Sequence, residues 1–164
     1  MIALNNYEKL INECEKLGAK VYEFDFGTSK PAGRCEGNEI YINKSCTTNE
    51  KYCVLLEELG HFLTTYGDIT NQNDLKNRKQ ELFARRWGYE KVTLERIIEA
   101  IEHNCCNIYE VAEYLNVTDK YFSECIQNYR KKYGVNVRIG KYTLIFEPSF
   151  AVLIDFRWKG SDVI

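Results

Sequence analysis

The sequence predicts an α+β fold, a small sheet followed by a run of helices. Two short stretches near the start alternate with the two-residue period of a strand. Most of the remaining chain repeats its apolar residues at helical spacing. With 2 prolines and 10 glycines in 164 residues, there is little room for long flexible linkers.

The elements follow in order. Leu4 to Leu17 reads as a helix with Leu10, Ile11 and Cys14 on one face, and Gly18 is placed to end it. Val21 to Phe26 alternates Val21, Glu23 and Asp25 against Tyr22, Phe24 and Phe26, a strand pattern. The segment GTSKPAGRCEGN is rich in turn formers and reads as a loop. Glu39 to Asn43 (EIYIN) is a second short strand. Thr47 to Glu50 has the form of a capping box, opening a helix that carries Tyr52, Leu55, Leu56, Leu59 and Leu63 and should end near Gly67. Asn73 or Asp74 caps the next helix, which runs to about Lys91.

The second half repeats Leu94, Ile97, Ile98 and Ile101, then Ile108, Val111, Ala112 and Leu115, then Phe122, Cys125, Ile126 and Tyr129. The last two stripes are joined by Asn116-Val117-Thr118, with Thr118 as N-cap, giving a helix-turn-helix-like unit. The runs YTLIF and FAVLIDF in the tail suggest a closing hairpin. The expected organisation is a core over 1–91, a helical module over 92–134 and a C-terminal hairpin or tail over 135–164.

Bulk properties exclude several classes. With 22 basic and 24 acidic residues the net charge is -2, which argues against DNA binding by the chain as a whole. The 7 cysteines are odd in number and match no zinc-finger or redox spacing, so free thiols in a reducing, cytoplasmic compartment are expected. The N-terminus lacks a signal-peptide layout, and no apolar run approaches the ~20 residues that span a bilayer. Oligomeric state leaves no trace in the pattern.

The chemistry concentrates in CVLLEELGHFLTTYGDI, residues 53 to 69. Glu57 and His61 stand four apart on one helix face, and Glu58 is rotated from Glu57 by about 100°. This is the layout of His-Glu-x-x-His, where the first and fifth residues hold zinc and the second is the general base, with Glu57 in the first position. A carboxylate oxygen binds zinc at about 2.0–2.2 Å, so the exchange is chemically tolerable, and it moves the site toward manganese or iron. A third ligand is needed, and Glu81 in RKQELFARRWGYE is the best candidate. Ala84 and Gly88 share its helix face and would let the two helices approach closely. Glu58 would polarise a water and pass its proton to the leaving amine. The bland alternatives are exposed i,i+4 pairs, Glu57–His61 and Glu81–Arg85, worth about a few tenths of a kcal/mol each. Cys53 reads as a buried small residue and His103 as a helix-end residue rather than as ligands.

These residues resemble the ImmA/IrrE family of metallo-endopeptidases carried by phages and mobile elements. The resemblance rests on EELGHFLTTYGDI at 57–69, RKQELFARRWGYE at 78–90, GNEIYI at 37–42 and NIYEVAEYLNVTDKYF at 107–122. It implies a zincin-like fold with His61 and Glu81 as metal ligands and Glu58 as acid/base. The family pattern usually has histidine where Glu57 stands, and Glu57 is kept as a ligand. The cofactor expected is Zn²⁺, with Mn²⁺ or Fe²⁺ as alternatives. The resemblance also implies a protein substrate, a helix-turn-helix repressor whose cleavage would release genes of the mobile element. Strand Glu39, Ile40, Tyr41, Ile42, Asn43, if it lies at a sheet edge, could pair with an extended substrate; an interior position is the alternative.

Two other functions compete. One is a peptidase-fold protein that sequesters a repressor without cutting it. The other is a DNA-binding regulator reading through Lys120, Ser123, Glu124, Gln127 and Asn128, with Arg130, Lys131 and Lys132 near the helix end; a packing or docking surface is the plainer reading of that helix.

Overall fold

A computed structural model describes residues 4–27, 31–67 and 74–160. Helix α1 spans Asn6–Lys16 and opens with a capping box in which Asn5 and Glu8 exchange bonds. It places Tyr7, Leu10 and Cys14 in the core, and Gly18 follows with a positive φ. Strand β1 (Lys20–Phe24) pairs in parallel with β3 (Glu39–Asn43), which pairs on its other side with antiparallel β2 (Gly33–Glu36). The sheet order is therefore β1-β3-β2.

Two expectations are corrected here. The stretch read as one loop contains β2, and Glu39 to Asn43 is the central strand. With both of its flanks bonded, β3 has no free edge to offer a peptide; among the described residues β1 and β2 are the edge strands. The β2–β3 connection turns on Gly37, whose φ of 60° suits glycine. The alternation in β1 is also resolved. Val21 packs toward the core, while Tyr22 stacks on Tyr41 and Phe24 meets Phe26 on the outer face.

Ile40 and Ile42 on the inner face are fully buried against Leu55, Leu56 and Leu59 of helix α2 (Thr48–Thr64). The Thr47/Glu50 capping box forms as the sequence predicts, and the helix stops three residues before Gly67. Helix α3 (Leu75–Tyr89) starts from the Asp74 cap; the alternative cap, Asn73, lies outside the described residues, as does Asp68–Thr70 at the end of the expected α2 segment. Helices α4 (Leu94–Glu102), α5 (Ile108–Leu115) and α6 (Asp119–Tyr133) follow their predicted stripes. Between α5 and α6, Asn116 takes a left-handed conformation and Thr118 caps α6.

The tail holds more than a hairpin. Strand β4 (Asn136–Ile139) precedes β5 (Tyr142–Ile145) and β6 (Ala151–Ile154), and the three form an antiparallel sheet in that order. Leu144 and Phe146 bury it against α6, where Phe146 stacks on Tyr129. Among the described residues, no helix is long and apolar enough to cross a membrane.

The contact that positions the site is the crossing of α2 and α3. A Cβ added at Gly60 would overlap the Ala84 carbonyl, and one at Gly88 would lie 3.2 Å from the Leu56 carbonyl oxygen. In an isolated helix, Gly→Ala is favourable by about 1 kcal/mol. Here overpacking costs about 1–3 kcal/mol and sets the sign. Gly60→Ala should lower unfolding stability in urea by roughly 1 kcal/mol or more; a stabilised variant would show that the helices are free to separate.

Candidate functional site

Helix α2 carries Glu57, Glu58 and His61 toward α3 and β2. The small residues at the crossing bring α3 close enough for Glu81 Oε2 to lie 3.3 Å from His61 Nε2. His61 and Glu81 are thus brought together from different helices, each with about a fifth of its side chain exposed. The other Glu81 oxygen, Oε1, accepts from Arg85 Nε at 2.6 Å. The Glu81–Arg85 pair anticipated one turn apart therefore forms, while Glu81 also faces His61. His61 pairs with Glu81, not with Glu57.

Glu58 points to the sheet. A Cβ at Gly33 of β2 would overlap Val54 Cγ1 and stand 3.1 Å from both Cγ and Oε1 of Glu58, so glycine lets the edge strand lie this close to α2. Burial pushes the Glu58 carboxyl up to about 7, helped by the charges of Glu57 and Glu81 and opposed by a backbone hydrogen bond from Cys35. A carboxylate tuned near neutrality suits proton transfer at physiological pH. Burial also raises the neighbouring Cys35 thiol to about 11, so it stays protonated and unreactive.

Glu57 lies one helical turn before His61 and lines a cavity of about 390 Å³ with Arg85, Lys120 and Glu124. Its carboxyl is also raised, chiefly by burial, with Arg85 pulling the other way. His61 is lowered by burial, against the pull of Glu81, which favours the neutral imidazole that a metal requires. Among the described residues, no three His, Cys, Asp or Glu side chains converge as a metal-binding group. The structure joins two of the expected ligands and sets Glu57 on the cavity side of the same helix.

Residues 14–138, most of the chain, match the model of the M78 peptidase family, described as the IrrE N-terminal-like domain. The chain belongs to this family. Comparison with curated proteins and with solved structures gave no match. Membership establishes the zincin-like α+β fold and a metallopeptidase ancestry, in which a metal cofactor and a protein substrate are the norm. The residues present fit such a metal in part. The neutral imidazole of His61 and the Oε2 of Glu81, whose partner oxygen is fastened by Arg85, supply two suitable donors.

The other candidates are resolved plainly. Cys53 is buried and accepts from the Thr118 N–H at 3.4 Å, a structural role. His103 caps α4, with Nδ1 2.8 Å from the Glu99 carbonyl. Of the α6 residues considered for base reading, Asn128 is buried and Glu124 accepts from the Tyr89 hydroxyl at 3.0 Å, while Lys120 and Gln127 are exposed. Sequence reasoning missed β2 and the cavity wall from α6. GRCE is too short to register as a strand by period, and contacts between α2 and α6 have no local signal.

The pH dependence of stability tests Glu58. Its folded pKa lies above its unfolded value of 4.5, so it opposes no folding below about 4.5 and progressively more as pH rises to about 7. Metal-free protein should therefore lose on the order of a few kcal/mol between these limits from this group alone. Glu58→Gln should flatten that part of the urea-denaturation profile; an unchanged slope would mean that the carboxylate ionises freely.

Proposed function

We propose that this protein is a metal-dependent endopeptidase of the cytoplasm that cleaves a helix-turn-helix repressor of a phage or mobile element, relieving repression. The peptidase reading is carried by the placement of Glu58: a half-buried carboxyl raised to about 7, beside the edge strand β2 and on the same helix as His61, which meets Glu81. The repressor as substrate is supported by the resemblance of the motifs alone.

His61 and Glu81 would hold the metal, with Glu57 as the third donor; Zn²⁺ suits one imidazole with carboxylates, and Mn²⁺ or Fe²⁺ tolerate the same set. When bound, the ion would supply an electrophile for the peptide carbonyl and an acidified water. The remaining work falls to the chain. Glu58 takes the proton of the attacking water and returns it to the leaving nitrogen, a task matched to a pKa near 7. The free edge of β2 can align an extended substrate by backbone hydrogen bonds beside Glu58. That role replaces the one expected of Glu39, Ile40, Tyr41, Ile42 and Asn43, which lie inside the sheet. The half-burial of α2 under β2 and α3 limits water around the carboxylates.

A second reading, binding and sequestering a repressor without cutting it, is favoured by the guanidinium of Arg85, which holds one oxygen of Glu81 and acts on Glu57. Elemental mass spectrometry on the purified chain separates the two. Near one equivalent of zinc, manganese or iron is expected, lost in His61→Ala and Glu81→Ala; retention in Glu57→Ala would remove Glu57 from the set. Glu58→Gln should keep the metal and slow cleavage of a co-purified repressor by about 10²–10⁴-fold. No metal after reconstitution would leave sequestration as the function.

A further inference from the structure

We propose that the groove between α3 and α6 is a docking site for an acidic segment of a protein partner. The groove has a volume of about 470 Å³ and is lined by Arg85, Arg86, Tyr89, Glu124, Asn128 and Lys131 among others. It shares Arg85 and Glu124 with the cavity beside Glu57, so the two are continuous along one side of the molecule.

The charge of the groove is only partly compensated. α6 ends in three consecutive cations, and two are already matched: Arg130 by Glu147 at 2.6 Å and Lys132 by Glu90 at 3.1 Å. Lys131 lines the groove and, among the described residues, has no acidic partner. Arg86, exposed on α3, is in the same position, while its neighbour Arg85 is paired with Glu81. The one carboxylate in the groove, Glu124, accepts from the Tyr89 hydroxyl and offsets one of these charges, so the groove is positive by the other.

A second feature has the same polarity. Asn128 is only 6% exposed, and its side-chain amide nitrogen has no hydrogen-bond partner. An unpaired buried donor costs about 1–3 kcal/mol, a penalty that a carbonyl or carboxylate acceptor would relieve. The groove thus offers two cations without acidic partners among the described residues, and Asn128 in its wall keeps an unmatched amide nitrogen just beneath the surface. An acidic peptide supplies both carboxylates and backbone carbonyls. A nucleic acid carries a phosphate at every residue and would meet Glu124, Glu57 and Glu50 along its length, whereas a peptide can confine its carboxylates to the part of the groove that holds Arg86 and Lys131.

Naming the bound segment as substrate rests on the peptidase reading; the docking itself does not. Fluorescence anisotropy tests it on the full chain carrying Glu58→Gln, with a labelled Glu-rich peptide and its Gln-substituted counterpart. The Glu-rich peptide should bind about tenfold or more tightly, lose that advantage in Arg86→Glu/Lys131→Glu, and weaken with salt. Arg86→Gln/Lys131→Gln, which adds no charge, should show the same loss in smaller measure. Equal binding of the two peptides, or affinity unchanged in both double variants, overturns the proposal, as does a short DNA duplex that binds more tightly and displaces the peptide. Because Glu58→Gln is used throughout, failure to find cleavage leaves this result standing, and failure here leaves cleavage untouched.

Discussion

The backbone contact between Gly60 and Ala84 constrains everything around the site. Two helices bearing ordinary side chains pack with axes about 8–10 Å apart. Here a glycine on α2 lies against a carbonyl of α3, and Gly88 returns the favour one turn later against Leu56. That closeness brings Glu81 to His61, and it leaves α3 near enough for Arg85 to act on Glu57. A third glycine, Gly33, does the same for the sheet by letting β2 lie on Glu58. The chemistry of the site therefore depends on three residues that have no functional groups of their own.

The buried α2 face also explains the order of the rest of the fold. Leu55, Leu56 and Leu59 hold the sheet, α1 and α3 through one apolar cluster that continues into α4, α5 and α6. The polar residues of α2 then fall at the margin of this cluster, where β2, α3 and α6 meet. Only α3 follows α2 directly in the chain; β2 and α6 come from elsewhere in it, so the site is a product of packing.

That division sets what was legible in the sequence. The capping box at Thr47, the caps at Asp74 and Thr118, and the stripes of α4 to α6 are local signals, and the structure follows them. The small residues Ala84 and Gly88 beside Glu81 announced the close crossing. Strand order was not legible. EIYIN reads identically at an edge and at the centre, since the difference lies in whether Gly33–Glu36 pairs with it. The four-residue GRCE has too few periods to stand out from a loop, and so the residue that contacts Glu58 went unnoticed. Lys120 and Glu124 were legible only as a helix surface; that they face Glu57 is a matter of how α6 docks.

The carboxylates of the cluster concentrate negative charge in one place. Glu57, Glu58 and Glu81 act on one another in a half-buried region, and burial together with mutual repulsion raises the first two. Glu57 and Glu58 are thereby held toward their protonated forms. Arg85 provides one compensating charge through its bond to Glu81. It does so at a single oxygen, leaving Oε2 turned to His61 and Glu58 still near 7. A guanidinium with its fixed planar fork satisfies one edge of one carboxylate, whereas a divalent ion between imidazole and carboxylates would draw on several at once. The arrangement is thus only part-neutralised by its own residues, which is the electrostatic condition under which a metal ion is attracted and a neighbouring carboxyl retains the proton affinity that a general base needs.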